Sequence, residues 1–98
     1  MPGEHLNDEL KELGMRAAEL ARQLDDPTKR VTEILNGRGA ITGDIALQLA
    51  HFFGTTAQFW LNLQSIYRLR IAQKKVGRSI NLLPTLKRLE RAHAQALP

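Results

Sequence analysis

Asp25-Asp26-Pro27 separates two short stretches that are each patterned for helix, and this break constrains the fold more than any other feature of the chain. Before it, Ala17, Leu20, Ala21 and Leu24 recur at the three- and four-residue spacing of one helix face; after it, Val31, Ile34 and Leu35 do the same until Asn36-Gly37 stops the run. So short a turn forces two helices to cross at close range, and Ala17, Ala18 and Ala21 keep the first of them slim where they meet. Asp26 is expected to cap the second helix with its carboxylate, and Pro27 to take the first helical position, where a missing N–H costs nothing. The turn position where glycine is common holds Asp25, a residue that tolerates left-handed geometry better than most. Arg16 to Gly37 therefore reads as a helix-turn-helix.

The remaining segments follow the same logic. Leu6, Leu10 and Leu13 mark an earlier helix ended by Gly14, and Gly37 to Ala40 reads as a flexible loop. Thr42 is the expected N-cap of a fourth helix, with Asp44 near its positive end, Ile45, Leu49, Phe52 and Phe53 facing the core, and Gly54 closing it. Thr55-Thr56-Ala57-Gln58 matches a capping box with Thr55 as the cap and Gln58 reaching back, which starts a fifth helix running to about Lys74. Val76 to Leu83 contains Gly77 and is expected to leave helical geometry, before Pro84 opens a last short helix with Leu86, Leu89 and His93 on one side. No alternating strand pattern occurs. The expected fold is all-α, with a five-helix domain over residues 1–75 and a C-terminal, partly helical extension over 76–98.

Composition removes several function classes. The 98 residues suffice for one modest core, and 43% hydrophobic with 24% charged residues is ordinary globular usage. No cysteine is present, so disulfides and thiolate metal sites are out, which fits a reducing cytoplasm. The start Met1-Pro2-Gly3-Glu4-His5 is not a signal peptide, and no apolar run approaches the ~20 residues that cross a bilayer. A cytoplasmic protein without a membrane partner is expected. His5, His51 and His93 are too widely spaced to pair as metal ligands, and Ser65 and Ser79 have neither a base nor a glycine elbow beside them. With no phosphate-binding loop and no carboxylate pair, neither an enzyme, a metal nor a cofactor is expected.

The face of the helix after Pro27 that points away from Val31, Ile34 and Leu35 carries Lys29, Thr32, Glu33 and Asn36, and Thr28 projects from its first turn. These side chains suit a DNA major groove. Lysine donates to guanine O6 and N7, threonine bonds bases or touches a thymine methyl, and glutamate accepts from cytosine N4. Thr28, Lys29, Thr32 and Glu33 are the base-reading candidates, and Arg16, Arg30, Asn36 and Arg38 the phosphate-contacting ones. The formal net charge of +4 is uneven: −4 over residues 1–26, +1 over 27–45 and +7 over 46–98. Either two kinds of partner or an unevenly scattered surface accounts for it. The basic stretch Arg68, Arg70, Lys74, Lys75, Arg78, Lys87, Arg88 and Arg91 either flanks DNA or is a solvated helix surface. Phe59, Trp60, Leu63, Ile66 and Tyr67 form a stripe that serves the core, a dimer interface or both.

Ala-Ala-Glu-Leu-Ala-Arg-Gln-Leu at 17–24 and Val-Thr-Glu-Ile-Leu-Asn-Gly at 31–37 resemble the XRE-type helix-turn-helix of lambda-repressor-like domains. Pro2-Gly3-Glu4, the stretch Ile41 to Ala50, Phe52-Phe53-Gly54-Thr55 and above all Phe59-Trp60-Leu61-Asn62-Leu63-Gln64 look like the HigA antitoxin family, also called virulence-associated protein I. The likeness covers about residues 2–75 and loosens beyond Val76. It implies a lambda-repressor-like homodimer that binds an inverted repeat of double-stranded operator DNA, represses its own operon and neutralises a HigB toxin, a small basic RelE-type ribonuclease that cuts messenger RNA. By position, Thr28, Lys29, Thr32 and Glu33 fall where the family reads bases, while the usual serine-like cap of the first motif helix is Met15 here. A basic toxin makes the acidic Glu4, Asp8, Glu9, Glu12 and Glu19 a candidate dock. A free-standing phage-like repressor, or an interaction module that has lost DNA binding, are the competing readings.

Overall fold

Leucine, isoleucine and alanine at helical spacing fold the chain into five α-helices: α1 (Pro2–Leu13), α2 (Ala17–Leu24), α3 (Thr28–Leu35), α4 (Gly43–Phe53) and α5 (Ala57–Asn81). The computed structural model describes residues 1–90, and no strand occurs among them. Every helix sends side chains into one core. Leu6 and Leu10 come from α1, Leu20 and Leu24 from α2, Val31 and Ile34 from α3, Ile45 and Leu49 from α4, and Trp60 from α5. Gly14 and Gly54 end α1 and α4 in the left-handed conformation, as their positions predict.

The N-terminal helix reaches the helix-turn-helix through a backbone-to-backbone approach. Gly3 is buried against the last turn of α3, where an added Cβ would collide with the Ile34 carbonyl oxygen and lie 2.9 Å from that of Leu35. Asn7 Nδ2 completes the junction by donating to the Leu35 carbonyl at 3.2 Å. Alanine is ordinarily the better helix former, so Gly3→Ala on an open helix would stabilise. Here it is expected to destabilise by about 1–3 kcal/mol, the range for overpacking. A thermal melt followed by circular dichroism checks the sign, and a raised melting temperature would refute the close approach.

The helix starts differ from the sequence expectation in four places, each for a local reason. Pro27, not Asp26, is the N-cap of α3, with extended dihedrals (φ −61°, ψ 138°) and no side-chain cap. Asp26 instead turns its almost fully buried carboxylate toward Arg30 Nη1, 3.5 Å away. The cap of α2 is Arg16 rather than Met15, again without a side-chain bond, and Met15 packs against the core. Thr42 holds the cap position of α4, but its hydroxyl bonds Asp44 and Arg30 instead of a backbone amide. Thr56, not Thr55, caps α5 by accepting from Phe59 N at 3.1 Å. Thr55 is taken by a stronger demand, since its Oγ1 accepts from the buried Trp60 indole N–H at 2.8 Å, and Gln58 bonds Asn62.

The fifth helix also exceeds its expected end at Lys74. It continues to Asn81 through Val76 and Gly77 and crosses the expected 75/76 boundary without a break. An interior glycine costs a helix only about 1 kcal/mol, and no proline intervenes before Pro84. Beyond Tyr67 nearly all of α5 is exposed, so it leaves the globule as a stalk and gives the molecule dimensions of 70 × 23 × 22 Å. Residues 86–90 are helical again, with Thr85 Oγ1 accepting from Arg88 N at 3.2 Å. Arg91 and His93 lie outside the described residues.

Candidate nucleic-acid interface

The turn between α2 and α3 is closed by Asp25, the only non-glycine residue with positive φ among those described (φ 54°, ψ 47°). Asp26 N donates to the Ala21 carbonyl at 3.0 Å, which finishes α2 and delivers the chain to Pro27. The first amide bonded within α3 is that of Arg30, to the Pro27 carbonyl at 3.0 Å. The amides of Thr28 and Lys29 therefore stand open at the start of the helix, where partial positive charge favours a phosphate.

Thr28, Lys29, Thr32 and Asn36 are all exposed along one face of α3, opposite the buried Val31, Ile34 and Leu35. Glu33 is only half-exposed. The segment expected to be a flexible loop folds back over it: Arg38 N and Gly39 N both donate to the Glu33 carbonyl, at 2.8 and 2.9 Å. An added Cβ at Gly39 would stand 3.2 Å from the Glu33 Cβ, so the returning segment packs tightly against that side chain. Arg16, at the start of α2, and Arg38, after α3, are both exposed.

Arg30 is held differently from the other cations. Its Nη2 lies 3.0 Å from each carboxylate oxygen of Asp44 and 2.8 Å from Thr42 Oγ1, while Nη1 faces Asp26. The Thr42 hydroxyl, followed by the Arg30 guanidinium, lowers the Asp44 carboxyl to about 2, so it is ionised at neutral pH. The sequence reading placed Asp44 only as a helix-dipole partner and missed this pairing, because no local pattern links positions 30 and 44.

Gln64 was missed as well, although a signal exists: it follows Trp60 by one helical turn on a core-facing row, where a polar side chain needs a partner. It is buried, and its Oε1 accepts from Ile41 N at 2.8 Å. This bond ties α5 to the segment that leads from α3 into α4.

The aromatic stripe divides. Trp60 is 1% exposed and belongs to the core, with Phe53 and Phe59 rings 5.6 and 5.2 Å away. Phe59, Leu63 and Tyr67 are half-buried, and Ile66 is exposed. On α1, Glu4, Asp8 and Glu12 project to solvent in one four-residue row, whereas Glu9 leans toward His5 at 3.6 Å. No group of three or more metal-ligating side chains occurs among the described residues, and none of their helices is long and apolar enough to cross a membrane.

This architecture has close counterparts. The helix-turn-helix family pattern matches residues 6–60. Virulence-associated protein I of Dichelobacter nodosus is 42% identical over 84% of this chain and 76% of its own length. Among solved structures, an addiction module antidote protein of the HigA family from Coxiella burnetii shares 54% identity, covering 86% of this chain and 92% of its own, with a TM-score of 0.84. The Pseudomonas aeruginosa antitoxin HigA, solved with the higBA promoter, shares 40% identity over 87% of this chain and 95% of its own, with a TM-score of 0.83. The two solved counterparts are an antidote protein and an antitoxin, the second of them on promoter DNA. The chain belongs to the helix-turn-helix family and, within it, to the HigA antitoxin family.

Proposed function

We propose that the protein is the antitoxin of a type II toxin–antitoxin module, a homodimer that binds operator DNA, represses its own operon and neutralises a HigB-type ribonuclease. The observation that carries this reading is the exposed polar face of α3 set on the left-handed Asp25 turn, in a fold shared with an antitoxin solved on promoter DNA. Lys29, Thr28 and Thr32 are the base readers in this reading, Glu33 accepts from cytosine at the edge of the face, and Arg16, Asn36 and Arg38 take phosphates.

Two further features support the partners. Ile66, Leu69, Val76 and Ile80 are 48%, 60%, 42% and 54% exposed along one side of α5, an apolar row that suits pairing with a second copy. A two-fold pair presents two α3 helices to half-sites about one DNA turn apart. The acidic row of α1 suits a basic toxin.

Gel shifts on DNA from upstream of the gene, with a shuffled duplex as control, test the DNA-binding part, and light scattering tests the dimer. Selective retardation by a particle of twice the monomer mass is expected. Coexpression with a ribonuclease encoded beside the gene tests the antitoxin part by growth rescue. Glu9→Lys with Glu12→Lys is expected to lose rescue while keeping the DNA shift. Full rescue by that variant would move the toxin surface elsewhere.

A further inference from the structure

We propose that Asp44 is a positioning counter-ion that sets DNA specificity: it holds the Arg30 guanidinium as a phosphate would, and yields it only to DNA seated deeply enough to bring a phosphate against the start of α4. The inference rests on the DNA-binding reading above.

The geometry resembles phosphate capture. Both Asp44 oxygens stand 3.0 Å from Arg30 Nη2, and the Thr42 hydroxyl adds a third oxygen at 2.8 Å. Guanidinium N–H groups donate to phosphate and carboxylate oxygens alike, so a phosphate can take the place of the Asp44 carboxylate at Nη2. The pair is also open to exchange, since the Arg30 and Asp44 side chains are 35% and 66% exposed. Asp26, only 4% exposed, faces the other end of the guanidinium and keeps Arg30 near the gap when Asp44 lets go.

A purely structural strut is a weaker account. Ion pairs this exposed contribute little to stability. Thr42 sits at the cap position of α4, yet its hydroxyl bonds Arg30 and Asp44 and leaves the first amides of that helix without a side-chain cap. Those amides and a released guanidinium would meet the same phosphate. The consequence is discrimination. A loosely bound, non-specific duplex meets one cation fewer on each protomer, whereas a fully docked operator recruits Arg30.

The test measures affinity of the full chain for the upstream duplex and for a shuffled duplex across a salt series. On the shuffled duplex, Asp44→Asn is expected to bind more tightly than wild type. Its plot of log affinity against log salt should be steeper by about 0.9 per protomer, the increment for one extra phosphate contact. The ratio of upstream to shuffled affinity should narrow. Asp44→Glu should behave as wild type. Arg30→Gln should flatten the slope on the upstream duplex by about the same increment, and adding Asp44→Asn to it should change nothing.

Wild-type slopes and ratio in Asp44→Asn would overturn the inference. So would an equal steepening in the Arg30→Gln background, because charge removal alone would then explain the effect. If Asp44→Asn fails to fold, Asp44→Ser, which removes the same charge, must steepen the shuffled-duplex slope or the inference falls. A wild-type protein that does not prefer the upstream duplex refutes the DNA-binding reading of that site, while the coupling between positions 30 and 44 on the shuffled duplex still decides the counter-ion role.

Discussion

Trp60→Ala is expected to unfold the protein or to lower its melting temperature by more than about 12 °C, given ~3–5 kcal/mol for deleting a buried tryptophan and roughly 4–8 °C per kcal/mol in a domain of this size. The side chain is 1% exposed and lies where α1, α4 and α5 converge, with edge contacts to His5 and Phe59 and a tilted contact to Phe53. Its indole N–H is held by Thr55 Oγ1 at 2.8 Å, a bond that alanine gives up. Total stability of a small domain is only about 5–15 kcal/mol, which makes the loss a large share of it. Trp60→Phe keeps most of the volume and gives up the hydrogen bond, so it should fall between the two. A melt of Trp60→Ala within a few degrees of wild type would mean that the core does not close on this ring.

The second large effect is on DNA. Lys29→Ala combined with Glu33→Ala is expected to abolish selective retardation of the upstream duplex and to leave helical content unchanged. Each well-made base contact is worth about 1–3 kcal/mol of discrimination, and the proposed dimer would make each contact twice. Four lost contacts therefore match the ~4–10 kcal/mol that separates specific from non-specific binding. The single variants should differ. Lys29 is exposed at the leading end of α3, whereas Glu33 is half-covered by the returning segment, so Lys29→Ala is expected to carry the greater loss. Selective binding by the double variant would show that another face reads the bases.

The fold was legible wherever one residue answers to a local rule. Gly14 and Gly54 end helices because they alone adopt left-handed geometry without strain, and Asp25 takes the same conformation at the turn, as its short polar side chain allows. The exposed face of α3 followed from periodicity alone, since Val31, Ile34 and Leu35 fix which side is buried. What the sequence conceals is which partner a side chain takes once the helices have formed and packed. Thr55 was assigned the cap that belongs to Thr56 because nothing local reveals that the Trp60 indole claims the Thr55 hydroxyl. Asp26 leaves the cap of α3 for Arg30, four residues on, and the Asp44 carboxylate that also engages Arg30 meets it only after α3 and α4 have packed. Gly77 read as a helix end because propensity weighs single residues, while the continuity of a long helix depends on its neighbours.

The bond from Gln64 to Ile41 has a mechanical consequence. It is a fixed rivet between a long rod and the segment that steers α3 into α4, and sliding the rod by one residue would break it and leave Ile41 N–H stranded in the core. The rod's angle is thereby transmitted to α3. If two copies join along their rods, the same rivet sets the gap between the paired α3 helices, and the spacing of the two DNA half-sites becomes a dimension of the protein itself. A rod lengthened or shortened beyond the joint should leave that spacing untouched, whereas a change at position 64 should blur it.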